Sequence, residues 1–139
     1  MAVILDMPVR KPAATERREV SWRQFDELDS LVRSGRTVFL DITADWCVTC
    51  KVNKTFVIND PQISSRLSRD VVPVRADWTR PNARIAEYLK SFGRYGIPFN
   101  VVFGPNAPDG IVLPEILTKA TVLSAFANSS IAPHPIQKK

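Results

Sequence analysis

The chain of 139 residues is predicted to fold as an α/β layer sandwich with the element order βαβαβαββα. Three features carry that prediction. Val38-Phe39-Leu40-Asp41-Ile42-Thr43 is a short, nearly unbroken apolar run, the pattern of a strand covered on both faces. Segments with apolar residues at helical spacing alternate with such runs, which implies parallel crossovers. The last two strand-like runs are joined by a stretch rich in Pro, Asn, Asp and Gly instead of a helix, so the second half ends in a hairpin.

Taken in order, Glu19–Ser21 reads as a short first strand. Trp22, Phe25, Leu28 and Val32 recur at helical spacing, with Ser21 as N-cap and Gly35 as stop, so a helix is expected over 22–34. After the strand at 38–43, Lys51–Val57 reads as helix, and Asn59-Asp60-Pro61 interrupts it before a second helix over 61–69. Val71–Ala76 is the next strand, and Pro73 inside it implies a bend or an unpaired N–H. Thr79 is expected to cap a helix reaching Phe92, with Pro81 in its first turn and Ile85, Leu89 and Phe92 on one face. Phe99–Phe103 and Ile111–Leu113 form the hairpin around a turn at 104–110, and a helix over about 119–128 buries Val122, Leu123 and Phe126. Residues 1–18 and 129–139 mix prolines with charges and show no periodicity, so a flexible leader and tail are expected around one domain at 19–128.

Composition narrows the function classes. Hydrophobic residues make up 45% of the chain, enough for a real core, so disorder as the main state is excluded. No apolar stretch approaches the roughly 20 residues that cross a bilayer. Met1–Leu5 is too short for a secretory apolar region and lacks basic residues before it, so no signal peptide is expected. A cytosolic protein or a segment of something larger remains. The net charge is +5, but the basic residues are scattered and do not interleave with aromatics, so nucleic-acid binding is not expected. There are only two cysteines, too few for the disulfide framework of a small secreted scaffold.

Those two, Cys47 and Cys50, form a single C-x-x-C at the end of the buried strand, where a helix begins. Unpaired N–H groups and the positive end of the helix dipole favour thiolate at Cys47, and thiolate is the nucleophile. Cys50 lies one turn along, close enough to attack a mixed disulfide at Cys47, so the spacing provides an attacking and a resolving thiol. Other readings are weaker. A structural disulfide closing so small a loop restricts the unfolded chain by only about 2 kcal/mol. Zinc needs about four N or S ligands, and the chain offers two thiols and the single histidine, His134. Copper(I) is held by two thiolates, but such carriers usually place Met two residues before the first cysteine, where this chain has Asp45, and their element order differs.

Ala44-Asp45-Trp46-Cys47-Val48-Thr49-Cys50-Lys51, following Phe39-Leu40-Asp41 and followed about fifty residues later by Gly96-Ile97-Pro98, resembles the thioredoxin family. More narrowly, it is similar to the C-terminal periplasmic domain of DsbD-type thiol:disulfide interchange proteins, with Asn59-Asp60-Pro61 also shared. The stretch from Arg94 to Pro105 leans toward the ScsB-type (suppressor of copper sensitivity) relatives. The resemblance covers about residues 19–128 and implies a thioredoxin fold with a central mixed sheet. By the same resemblance Cys47 is the exposed nucleophile and Cys50 the buried resolving thiol. Asp41 is the buried acid that opposes thiolate formation and accepts the proton Cys50 loses. Pro98 is implied to be cis, Ile97 to pair its backbone with a partner's extended segment, and Trp46 to shield the disulfide and join the docking surface.

Two positions depart from the DsbD pattern. Lys54 stands where an acid is common, and is expected to favour the Cys47 thiolate. Phe99 replaces a frequent Thr, and is expected to make the docking surface more apolar. Val48 and Thr49 lack the His found between the cysteines of strong oxidants, which argues for a relay or a reductant. The expectation is therefore a monomeric periplasmic domain of an inner-membrane protein. It would take two electrons from a membrane-embedded dithiol and pass them to periplasmic disulfide proteins. No metal or other cofactor is needed, because the Cys47–Cys50 pair carries the electrons. A free-standing thioredoxin-like reductase and a copper(I)-binding module are the alternatives.

Overall fold

The computed structural model describes residues 19–130; the expected leader at 1–18, and the tail from 131 onward with His134, lie outside the described residues. The elements are β1 (Arg23–Gln24), a 3₁₀ turn (Phe25–Glu27), α1 (Leu28–Arg33), β2 (Val38–Thr43) and α2 (Val48–Asn53). A π-helical segment (Lys54–Ile58) continues α2, and α3 (Pro61–Arg69), β3 (Val72–Asp77), α4 (Ala83–Ser91), β4 (Phe99–Gly104), β5 (Ala107–Val112) and α5 (Lys119–Ser130) follow. The strands form one five-stranded sheet in the order β1-β3-β2-β4-β5. β1 and β2 run parallel to β3, while β4 is antiparallel to β2 and β5 to β4. This is the mixed α/β sheet expected, with crossovers first and a hairpin last.

Several boundaries differ from expectation. The first strand is Arg23–Gln24 rather than Glu19–Ser21, and its helix begins only after Phe25–Glu27. Gln24 and Glu27 form a reciprocal cap there, which supplies the start signal assigned to Ser21. α4 starts at Ala83 because Asn82 caps it, its side-chain oxygen accepting the Ile85 N–H at 3.1 Å. Thr79 serves the neighbouring loop instead. β5 starts at Ala107, so the hairpin is tighter than a turn over 104–110. It is an edge strand, where Pro108 removes no needed ladder bond. Pro73 is likewise tolerated, in unbroken register with β2. Val72 N–H donates to Thr37 O on the β2 side, so the missing N–H of Pro73 falls on the other side, beyond the reach of β1, which pairs only from Val74. α5 runs to Ser130, two residues past its expected end at 128 and into the expected tail.

The sheet separates two apolar layers. Leu40, Ile42, Val74, Val101 and Phe99 face α1 and α4, meeting Leu28, Ile85 and Leu89. Phe39 and Val102 face the other side, meeting Val57 and Ile58, Ile63 and Leu67 of α3, and Val122 and Phe126 of α5. β2 is therefore covered on both faces, as its apolar run requires. β4 and α5 approach so closely that a Cβ at Gly104 meets the Ser129 backbone well inside van der Waals contact.

Gly104→Ala is expected to lower the unfolding free energy by about 1–3 kcal/mol. Urea denaturation checks this, as a lower midpoint at unchanged slope.

Candidate active site

β2 ends at Thr43, and the chain turns so that the Cys47 N–H donates to Ala44 O at 3.2 Å. Cys47 is the N-cap of α2, with extended backbone angles, and its Sγ accepts the Cys50 N–H at 3.1 Å. A sulfur thus satisfies one of the helix's free donors. Cys47 and Cys50 are joined in a disulfide with Cα atoms 5.2 Å apart. Ala44 and Ile97 pack against the pair.

The expected contrast between an exposed Cys47 and a buried Cys50 is absent in this oxidised state, where they are 6% and 5% exposed. The reason is local: the Cys47 sulfur is bonded to that of Cys50, accepts the Cys50 N–H and lies against Ile97.

The loop before β4 carries the Ile97–Pro98 peptide in the cis form. Phe99 does not join a docking surface. It is 1% exposed, lies against Phe92 with ring centroids 5.2 Å apart, and belongs to the core layer beneath α4. Its pairing with Ile42 in the antiparallel register sends it to that inner face. Tyr95, 77% exposed and two residues before Ile97, is the apolar surface this loop presents.

Trp46 is 59% exposed and held by its indole N–H, which donates to Thr79 O at 3.1 Å. The Thr79 hydroxyl accepts from the Asp45 N–H at 2.9 Å and donates to the Asp77 carboxylate at 2.5 Å. That hydroxyl, and next the Thr79 N–H, hold the Asp77 carboxyl below its usual range. The Lys51 ammonium donates to Asp45 O across the same loop.

Asp41 is buried in the centre of β2. Burial pushes its carboxyl up; the Arg75 charge, a hydrogen bond from Asn100 and the Lys54 charge act the other way without cancelling it. Arg75 Nε lies 3.5 Å from Asp41 Oδ2, in ion-pair range but outside hydrogen-bond geometry, and the guanidinium stacks 3.8 Å over the Trp22 ring. The Lys54 charge thus bears on this carboxyl. Lys54 lies seven residues past Cys47, about 10 Å along the helix axis, and one turn past Cys50 on the same helical face.

A family model described as thioredoxin-like matches residues 22–105, more than half of the chain. The chain belongs to the thioredoxin-like family. Among curated proteins, the thiol:disulfide interchange protein DsbD of Yersinia enterocolitica is 32% identical over 121 residues, covering 84% of this chain and 19% of its own length. DsbD of Ralstonia nicotianae is 36% identical over 97 residues, covering 65% of this chain and 16% of its own. The chain spans between 11% and 19% of the curated relatives it matches. Among solved structures, the oxidised C-terminal domain of Neisseria meningitidis DsbD superposes with a TM-score of 0.58 at 19% identity, covering 78% of this chain and 97% of that one. A DsbH oxidoreductase superposes at 0.63 with 16% identity, covering 91% and 95%. These structural likenesses are of fold.

Three residues of this thioredoxin-like site were not singled out from the sequence. Arg75 and Asn100 are the cross-strand neighbours of Asp41; their signal was the same as that of Asp41, a polar residue inside an apolar strand. Asn53 is the third. Its side chain donates to Glu115 O at 2.8 Å and accepts the Leu117 N–H at 3.0 Å, which fixes α2 against the segment before α5. Among the described residues, no group of three or more His, Cys, Asp or Glu side chains converges as a metal site.

Because the Asp41 carboxyl is raised on folding, the native state binds more protons than the unfolded chain between the unfolded value, about 4, and the higher folded one. Its contribution to stability is therefore lost as pH rises through that window. Asp41→Asn removes this loss, so the stability difference should move in favour of the variant from pH 4 toward pH 8. Urea titrations of both proteins across that range measure it. A second expectation concerns Asn53→Ala. It strands the buried Leu117 N–H and removes the bond to Glu115 O, and should cost about 1–3 kcal/mol, read as a lower denaturation midpoint.

Proposed function

We propose that this chain is a dithiol–disulfide exchange domain that takes two electrons from a membrane-embedded dithiol and delivers them to disulfides of periplasmic proteins. The observation that carries the reading is the Cys47–Cys50 disulfide at the start of α2, beneath Ile97. The naming of relatives up to 39% identical as thiol:disulfide interchange proteins supports it.

The reaction needs only the chain's own residues. In the reduced form the Cys47 thiolate, favoured at the helix start, attacks a partner disulfide. A mixed disulfide forms, and one partner sulfur leaves with an electron pair and takes up a proton. Cys50 then gives up its proton, with Asp41 as acceptor, and attacks Cys47. The Cys47–Cys50 bond forms, the second partner sulfur leaves reduced, and two electrons have passed. A donor dithiol reverses the sequence on the chain's disulfide. The backbone of half-buried Ile97, ahead of the buried Pro98, receives the partner's extended segment, and exposed Trp46, Val48 and Tyr95 give it apolar footing. Val48 and Thr49 between the cysteines favour delivery of electrons over their withdrawal. Among the described residues no helix is long and apolar enough to cross a membrane, so the membrane-embedded donor is assigned to another part or another chain.

Cys47→Ser is expected to abolish insulin reduction. Cys50→Ser is expected to leave a periplasmic protein disulfide-linked to Cys47, recovered from extract and released by dithiothreitol. If no adduct forms under conditions in which wild type cycles, the relay is wrong; tight stoichiometric copper(I) binding without exchange would point to a metal module.

A further inference from the structure

The proposed exchange uses Asp41 but leaves Asn100 without a role. Arg75 on β3, Asp41 on β2 and Asn100 on β4 stand in register across three strands, so their side chains emerge side by side on one sheet face. Phe39, two residues before Asp41 and on the same face, packs against Val57 and Ile58. The covering element is therefore the continuation of the helix that carries Cys50.

Asn100 is a buried amide and must be hydrogen-bonded. Its Nδ2 donates to Asp41 Oδ1 at 2.9 Å and to Leu40 O at 3.3 Å. The bond to the Leu40 carbonyl fixes the plane of the amide, so the second N–H is held on the carboxylate. Arg75 brings charge to Oδ2 at 3.5 Å, but its guanidinium is committed to the face of Trp22 and its Nε has no hydrogen-bond partner. Among the described residues, Asn100 therefore supplies the side-chain hydrogen bond that Asp41 receives. The charged groups facing Asp41 are Arg75 from β3 and Lys54 from the π-helical segment; β4 contributes only the neutral amide.

We propose that Asn100 is a positioning residue that orients the Asp41 carboxyl and favours its ionised form, so that the Cys50 proton has an acceptor. The inference rests on the exchange reading above. In the step concerned, the Cys50 S–H bond breaks and the proton passes to Asp41. The freed pair forms the bond to Cys47, and the bond from Cys47 to the partner sulfur breaks with its pair going to that sulfur. The chain's cysteines are thereby oxidised and the partner reduced, and Asp41 returns its proton to solvent. Without Asn100, desolvation of the carboxylate is less opposed, and the acceptor is protonated over a wider pH range.

The test uses the full chain with Asn100→Leu and, as a smaller replacement should Leu not be accommodated, Asn100→Ser. Carbon-13 NMR titration of the Asp41 carboxyl in the oxidised protein is expected to move up by roughly one pH unit in either variant. A nitrothiobenzoate adduct preformed at Cys47 then reports resolution by Cys50. The acid limb of its rate–pH profile is expected to move up by the same amount, and the shift should disappear when Asp41→Asn is combined with either variant. An Asp41 titration unchanged in both variants overturns the proposal. So does a moved titration with an unmoved resolution profile. Failure of the wild-type adduct to resolve at all would sink the exchange reading, while the carboxyl titration still decides whether Asn100 holds Asp41.

Discussion

A carboxylate in the middle of a doubly covered sheet is the constraint to which the rest of this site is fitted. β2 has helices on both faces, so Asp41 cannot reach water in the way an edge residue can, and an unsatisfied charge there is costly. The two neighbouring strands answer from opposite sides, one with a cation and one with an amide donor. Each answer imposes a requirement of its own. The guanidinium of Arg75 is kept in place by Trp22, which explains why a tryptophan just before β1 is turned onto the sheet. The amide of Asn100 is kept in place by a strand carbonyl. Substitution at any of these positions is therefore felt at the carboxyl.

The disulfide depends on the same frame. β2 delivers the chain to Cys47, and three tethers set the loop that holds it: the Trp46 indole and the Asp45 N–H on Thr79, and the Lys51 ammonium on Asp45. At the far end of α2, Asn53 bonds two backbone groups of the segment before α5. The helix that presents the sulfur is thus fixed at both ends by contacts distant in sequence. Such rigidity suits a reaction whose two sulfurs must meet repeatedly in one geometry.

Much of this was legible in the residues. The buried run at 38–43, the C-x-x-C after it and the break at Asn59-Asp60-Pro61 are strong local signals, and each stands where expected. What was not legible depended on partners far away in sequence. Thr79 looks like a helix cap because its neighbours are Arg80 and Pro81, but its hydroxyl is used by a loop more than thirty residues earlier. Phe99 follows the cis peptide and so looks like surface, yet strand register turns it inward. The burial of Cys47 follows from its contacts with the Cys50 amide and with Ile97, fifty residues away, which the spacing alone does not show. The charge of Lys54 also reaches the Asp41 carboxyl, a partner that its position in the sequence did not suggest.

The two margins of the sheet are blunt. On one side β1 contributes only two residues; on the other, β5 carries Pro108 and a glycine of positive φ at Gly110. Neither border offers a long row of free amides and carbonyls, so sheet-to-sheet accretion into ordered aggregates has little to template it.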